Sequence, residues 1–467
     1  MKTVVTGATG FIGRPLVKDL LAAGHDVWVL SRDAKRAGRL LPVRCHCRQW
    51  NPEQRLDLAA LGGVDAVIHL AGEGIADRRW TASRKKAIRD SRVGSTRAIV
   101  RGIESLPAER RPSVLISASA IGYYGDRGDE ELSEQSAPGD GYLADVCRAW
   151  EQEALAAADL GVRTAVVRIG VVLGKQGGAV RRLLLPFRLG LGGRVGTGAQ
   201  WMSWIHLDDL VGLFRYVLEH ERAEGPINGV APGPVTNALF TSELGRVLHR
   251  PTVIPTPAAA LGVVLGEMSS VLTASQRVGP AAALRFGFQF RFPRLAEALD
   301  DIGGDLSEGY ECEDWVPGSS AEVFTFFSDA YNLEKITPPF LHFRVLGAST
   351  VEMGEGTLIR YRLRLRGVPI SWHSRIESWE PGRRFVDRQI RGPYALWHHT
   401  HEFEPHEGGT IVRDRVRYRL PFGPLGDLIA GRLVARDLRA IFDFRQEKTR
   451  EFFQAWRADG PLREAPS

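Results

Sequence analysis

The stretch Lys2-Thr-Val-Val-Thr-Gly-Ala-Thr-Gly-Phe-Ile-Gly13 decides the fold. An apolar strand over residues 3 to 6 runs directly into glycines at 7, 10 and 13. A helix follows, with Phe11, Ile12, Leu16, Val17, Leu20 and Leu21 on one stripe and Gly24 at its end. Such glycine spacing carries meaning only between a strand and a helix, and both are present. Gly7 permits the sharp turn out of the strand, Gly10 lets a pyrophosphate approach the backbone, and Gly13 allows close packing of the helix. The phosphates then meet a helix N-terminus. With Thr9, Phe11 and Ile12, these are the candidate dinucleotide-binding residues of the loop.

The next strand ends Val29-Leu-Ser-Arg32. A site for NAD usually places an acid there, on the ribose 2′-hydroxyl, whereas Ser31 and Arg32 suit a 2′-phosphate that a guanidinium grips bidentately. NADP(H) is therefore the expected cofactor, with Asp33 immediately after as the competing signal.

Further apolar strands at 27 to 31, 64 to 70, 113 to 118 and 163 to 172 alternate with helical stretches that include 83 to 105 and 142 to 159. That order predicts a doubly wound parallel sheet of Rossmann type, an α/β domain over residues 1 to 300 whose substrate lobe covers about 175 to 300. Asp301 to Glu308 is small, polar and glycine-containing, as an interdomain linker should be. Beyond it the hydrophobic period changes. Ile359, Tyr361, Leu363 and Leu365 alternate with Arg360, Arg362, Arg364 and Arg366, and Val412, Asp414, Val416, Tyr418 and Leu420 alternate with arginines in the same way. Period two means half-buried strands, and their arginine faces are solvated faces. An amphipathic helix carrying Leu433, Leu438, Ile441 and Phe452 closes this α+β domain over 309 to 457, before a tail at 458 to 467.

The bulk numbers exclude several partners. Of 467 residues, 61 are Lys or Arg and 55 Asp or Glu, and the net +6 is spread along the chain rather than gathered, so no nucleic-acid footprint emerges. The first residues pass straight into a strand without a leader-like apolar segment. The longest apolar run, Pro257 to Met268, is interrupted and short of the ~18 residues a membrane span needs. A cytoplasmic location without membrane insertion is expected; the oligomeric state is left open. Cys45 and Cys47, two apart on one strand-like stretch, suit neither a disulfide nor a zinc knuckle, and all four cysteines read as reduced structural residues. By alternation Trp397, His399, His401 and Phe403 share one face, Trp372 belongs to a neighbouring strand, and Asp414 points inward and needs a partner. Two histidines at i and i+2 more often line a pocket or pack than ligate, and no metal is expected.

The glycine loop together with His69-Leu-Ala-Gly72, Arg79-Trp80, Ser91-Arg92, Cys147-Arg-Ala-Trp-Glu151, Arg168-Ile-Gly-Val-Val-Leu-Gly174, Gln200-Trp-Met-Ser-Trp204 and Trp204-Ile-His-Leu-Asp-Asp209 resembles the extended short-chain dehydrogenases/reductases, in their atypical sugar-nucleotide-epimerase-like branch. The resemblance covers about residues 1 to 297. It implies that Leu70, Ala71 and Gly72 lie along the cofactor and that Arg168 to Val171 edges its nicotinamide. After the linker, the sheet with its long terminal helix resembles the START-like (SRPBCC, polyketide cyclase/dehydrase-like) domains. That resemblance implies a helix lidding a cavity, and such cavities take hydrophobic small molecules.

Hydride chemistry at a carbonyl needs a proton donor or acceptor beside the oxygen, which short-chain reductases supply from a Tyr whose pKa a Lys lowers, in the spacing Tyr-x-x-x-Lys. Tyr142 and Ser119 are the candidate catalytic pair, but the lysine position holds Val146. Tyr123, Tyr124 and His206 are the alternatives. Arg79, Trp80, Arg92 and Trp201 suit an anionic or planar small-molecule substrate, and suit salt bridges or core packing equally. The expectation is an NADP(H)-dependent oxidoreductase or epimerase with a hydrophobic ligand in its C-terminal domain; the alternative is an NADPH-binding regulatory or scaffold protein without turnover.

Overall fold

The computed structural model describes residues 1–458 except 77, 176, 179–185, 304–307 and 351. The chain divides into two compact units, Met1–Asp305 and Leu306–Ser467. Of the expected linker, 301 to 303 complete the helix Leu295–Gly303 and Glu308 opens a strand, while 304 to 307 lie outside the described residues. The expected tail is likewise outside from 459 onward.

The first unit is built on seven parallel strands: β1 (Lys2–Thr6), β2 (Asp26–Ser31), β3 (His46–Gln49), β4 (Ala66–His69), β5 (Val114–Ala120), β6 (Arg163–Ile169) and β7 (Gly225–Gly229). Their order is β7-β6-β5-β4-β1-β2-β3. Successive residues of a strand face opposite sides, so Val5, Val29, Ile68 and Ile116 pack with Leu16, Leu20 and Phe214 of helices α1 (Gly13–Ala22) and α4 (Leu207–Glu219). Val4, Leu30, Val67 and Leu115 pack on the other face with Ile99 and Ile103 of α2 (Ala82–Glu104). A three-layer Rossmann sheet results. The ligand crevice of such a sheet lies beyond the carboxyl ends of the strands, where β1 and β4 part.

Two boundaries depart from the sequence expectation. The strand expected over 163 to 172 breaks at Gly170, where a Cβ would stand 2.6 Å from Ser203 O; the chain leaves the main sheet there, and Val171–Gly174 pairs with Trp204–His206 instead. The helix expected over 142 to 159 stops at Leu155 as α3 (Tyr142–Leu155).

The second unit is a seven-stranded antiparallel sheet of β8 (Glu308–Val316), β9 (Arg344–Ala348), β10 (Leu358–Leu365), β11 (Val368–Glu380), β12 (Arg384–Arg391), β13 (Leu396–His406) and β14 (Gly409–Arg419). The order is β8-β14-β13-β12-β11-β10-β9, so the first strand joins the last. Helix α5 (Ser320–Ser328) begins on a capping box of Ser319 and Glu322. The 35-residue helix α6 (Pro424–Ala458) lays Leu438 and Phe442 on the sheet face formed by Cys312, Val416 and Tyr418.

Candidate functional site

The crevice of the first unit is shaped by backbone contacts that only glycine allows. Gly7 has φ +71°, and a Cβ on it would stand 2.6 Å from the carbonyl carbon of Leu70 and 2.7 Å from the amide of Ala71. A Cβ on Gly13 would stand 2.4 Å from Gly7 O. The loops after β1 and β4 are thereby pressed together, which brings Gly7, Leu70 and Ala71 to one place. No side chain caps α1 behind Ile12; Arg14 N donates to Gly10 O and Leu16 N to Ile12 O, each at 3.2 Å, and Pro15 between them carries no N–H. Thr9 is tied through its carbonyl to Arg14 Nε at 3.1 Å, and the Phe11 ring lies where Cβ atoms on Gly174, Gly177 and Gly178 would fall, 2.9, 2.3 and 2.7 Å away.

At the end of β2, Ser31 and Arg32 emerge at the surface, Arg32 exposed. Ser31 Oγ donates to Asp33 O at 3.1 Å, and the Asp33 carboxylate caps the helix Ala34–Leu40, accepting from Arg36 N at 2.9 Å. Under the crevice, burial holds His69 down to about pKa 3, with Arg92 adding to the effect. Its ring bridges Thr6 Oγ1 at 2.6 Å and Ser95 Oγ at 3.0 Å.

The candidate catalytic pair is not presented as a free pair. Ser119 Oγ donates to Glu151 Oε1 at 2.7 Å, in a site where both residues are buried. Tyr142 Oη donates to Lys85 O at 2.7 Å, and Val146, where the lysine would stand, is 2% exposed. Burial raises the Tyr142 pKa against the opposing pull of Arg92, Arg89 and Arg84. Arg168 is committed to partners inside the protein. Its guanidinium is buried and donates to both carboxylate oxygens of Glu151, at 2.9 and 2.8 Å, and to Tyr124 Oη at 2.9 Å, while lying 3.5 Å from the Tyr123 ring centre. Tyr124 Oη in turn donates to Asn228 Oδ1 at 2.7 Å, and burial pushes its pKa up to about 12. Tyr124 is thus fixed in the core and no longer an alternative base. His206 is a helix cap, its Nδ1 accepting from Asp208 N at 3.2 Å.

Of the substrate candidates, Trp80 and Arg92 lie near Tyr142. The Trp80 ring stands edge-on to Tyr142 at 5.3 Å, and its indole N–H donates to Ile75 O at 2.7 Å. Arg92 packs beneath Gly72 and donates to Glu73 O at 3.0 Å and Ile88 O at 3.1 Å. Arg79 is exposed and donates to Val263 O at 3.2 Å. Trp201 belongs to another contact set, between Asp129 and the Arg277 guanidinium. Sequence reasoning missed Lys85, which contacts the Tyr142 ring at 5.2 Å and pairs with Glu267. Its place on α2, some sixty residues before Tyr142, left no local signal.

The second unit encloses a cavity of about 140 Å³ between its sheet and α6. Tyr361, Trp372, Phe385, Trp397 and Ile441 make most of it apolar, and Asp387, His399, His401 and Arg445 make one polar end. Burial would raise both nearby carboxyls, but the imidazoles outweigh it and hold Asp387 and Asp414 below the usual carboxylate range.

Residues 3–229 match the NAD dependent epimerase/dehydratase family, and 256–302 match a domain of unknown function, DUF1731. The chain is 43% identical over 302 residues to the chloroplastic epimerase family protein SDR39U1 homolog of Arabidopsis thaliana, covering 65% of this chain and 86% of that protein. It is 37% identical over 306 residues to epimerase family protein YfhF of Bacillus subtilis, covering 65% of this chain and 99% of that one. The crystal structure of human epimerase family protein SDR39U1 (isoform 2) with NADPH superposes with a TM-score of 0.58 at 37% identity, over 66% of this chain and all of that one. Among the described residues, no helix is long and apolar enough to cross a membrane.

Proposed function

The chain belongs, through its first unit, to the epimerase family, and from that premise we propose that it binds NADP(H) and reduces a carbonyl of a small molecule. The observation that carries the cofactor reading is the cradle itself, where Gly7 is pressed on Leu70 and Ala71 at distances no side chain tolerates, just before the N-terminus of α1. The NADPH-bound human relative supports it. Bound there, the dinucleotide supplies the hydride. Arg32 is exposed for a 2′-phosphate, and Asp33, which would repel one, is turned into its helix cap.

The raised pKa of Tyr142 sets the direction. A phenol that holds its proton at neutral pH can deliver it to the oxygen of a carbonyl receiving hydride, moving it from Lys85 O to the substrate. Epimerisation would need the same phenol to begin as a base, which burial opposes. Trp80 beside it offers an aromatic wall for a planar substrate. The second unit we read as START-like: its antiparallel sheet, long helix and aromatic cavity suit a hydrophobic small molecule with a polar head near Arg445.

A second reading, NADPH binding without turnover, is favoured by the bond from Ser119 to Glu151 and by the buried Val146. Oxidation of NADPH by the full chain, over a panel of carbonyl compounds and nucleotide sugars, separates the two. Turnover that falls at least ~100-fold in Tyr142→Phe supports the reductase, in line with the usual worth of a positioned acid; tight binding with no oxidation across the panel supports the second reading.

A further inference from the structure

The polar end of the second unit's cavity is organised in two layers. Asp387 on β12 stands directly across from His399 on β13, and His401 directly across from Asp414 on β14, so all four side chains fall on one face of the sheet. Three of them, Asp387, His399 and His401, line the cavity; Asp414 does not.

In the inner layer, His399 Nδ1 and His401 Nε2 both point at Asp387 Oδ1, each from 3.5 Å. That is long for a charge-assisted hydrogen bond, which is ordinarily 2.7–2.9 Å. It is close to the ~3.3 Å between ligand atoms that share one ion through tetrahedral bonds of about 2.0–2.1 Å. The three ligand atoms lie within 4.8 Å of one another.

In the outer layer, the far nitrogens of both rings face a single oxygen. His399 Nε2 is 2.9 Å from Asp414 Oδ1, and His401 Nδ1 is 2.8 Å from the same atom but outside hydrogen-bonding direction, which leaves it a buried polar atom without a bond. The remaining oxygen of Asp387 is also held: Trp372 Nε1 donates to Ser374 Oγ at 3.1 Å, and Ser374 Oγ donates to Asp387 Oδ2 at 3.2 Å. Ser374 thus orients Asp387 and Asp414 orients His399, as outer partners steady metal ligands, while Asp414 Oδ1 also stands 2.8 Å from His401 Nδ1. Phe385, stacked on His401 at 4.2 Å, and Phe442, edge-on to His399 at 5.5 Å, wall the cluster from water. Arg445, which lines the same cavity, is 8% exposed and has no bond at Nε.

We propose that His399, His401 and Asp387 bind a divalent transition-metal ion of the zinc class, with Asp414 as positioning residue and the open coordination position turned into the cavity. The proposal differs from the expectation of no metal, which weighed the two histidines without Asp387. Two imidazoles and one carboxylate form a borderline donor set suited to such an ion rather than to calcium or magnesium. Three protein ligands leave one position for water or for an oxygen donor of a cavity molecule, such as a carbonyl or carboxylate. Binding of the ion does not depend on the hydrophobic-ligand reading of the cavity.

The test uses the full, untagged chain, stripped with a chelator and titrated with Co²⁺ as the probe. The expected result is one ion per chain, with the intense visible absorption of a low-coordinate site and displacement by Zn²⁺. His401→Gln should abolish that band. Asp414→Asn should keep its shape while weakening affinity about 10–100-fold, as loss of an outer partner does. His398→Gln, on the opposite face of β13, should bind as the unmodified chain does. Should His401→Gln fail to fold, zinc-edge X-ray absorption of the unmodified chain decides, by counting two imidazoles in the shell. No uptake by the unmodified chain, a band that survives in folded His401→Gln, or a shell without imidazole would each overturn the proposal.

Discussion

Each unit buries a polar cluster, and the two are finished differently. In the first, Arg168, Glu151, Ser119, Tyr124 and Asn228 hand hydrogen bonds from one to the next between 2.7 and 2.9 Å. In the second, the histidines and aspartates leave His401 Nδ1 and Arg445 Nε without a bond, and the cluster opens on a cavity. Burial alone therefore does not mark a functional group. A buried charge whose donors and acceptors are all satisfied holds a scaffold together, whereas one with directions left over is available to a ligand. The same contrast separates Asp33, committed to a helix cap, from its neighbour Arg32.

The contrast breaks most severely where the closed cluster is opened. Glu151→Gln leaves the buried Arg168 guanidinium without its counter-charge, and removing one partner of a buried pair costs about 3–5 kcal/mol. Urea unfolding of the full chain, followed through the transition that abolishes cofactor binding, should register that loss. Asp387→Asn in the second unit should cost less than half as much, because its neighbours are already incompletely bonded. Equal losses would remove the distinction between the clusters.

A pH titration sharpens it next. His69 is held near pKa 3 in the folded state, against about 6.5 when unfolded, so between those values the unfolded chain binds a proton that the folded chain does not. Its contribution is complete above pH 6.5 and is lost as the pH falls toward 3, at about 1.4 kcal/mol per pH unit. His69→Asn, which keeps bonding groups for Thr6 and Ser95 but does not titrate, should show a shallower fall in stability over that window. Parallel curves would mean that His69 charges while folded.

Much of this was legible in advance, and the reasons are local. The turn after β1 was readable because its glycines fall at fixed spacing between a strand and a helix, and β10 and β14 of the second unit because arginines alternate with apolar residues along them. Commitment was not readable. Ser119 and Tyr142 carry the right chemistry in sequence, but their partners, Glu151 and the Lys85 carbonyl, lie 32 and 57 residues away. The pairing of Arg168 with Glu151 was hidden for the same reason, since a guanidinium's direction depends on which carboxylate the fold brings to it. The inner cluster of the second unit was half visible: alternation put both histidines and Asp414 on one face, but only the β12 register brings in Asp387.

Arg32 offers the next smaller test. If it is uncommitted because it waits for a 2′-phosphate, Arg32→Ala should weaken NADPH binding about 10–100-fold, the range of a lost charged hydrogen-bonding partner, and leave NADH binding within a factor of two. Isothermal titration with both cofactors gives the ratio. Equal loss for both would make Arg32 a general electrostatic attractor rather than a 2′-phosphate contact.

The smallest effect separates Arg32 from Asp33. Because the Asp33 carboxylate accepts from Arg36 N at 2.9 Å and begins the helix Ala34–Leu40, Asp33→Ala should cost about 1 kcal/mol of stability, the usual worth of an N-cap. It should not weaken either cofactor, since the carboxylate is engaged with its own helix and not with a ribose. Asp33→Ser, which restores a capping oxygen without the charge, should recover most of the stability. A fall in NADH affinity in both variants would instead place Asp33 on the ribose hydroxyls, and the committed and uncommitted residues at the end of β2 would exchange roles.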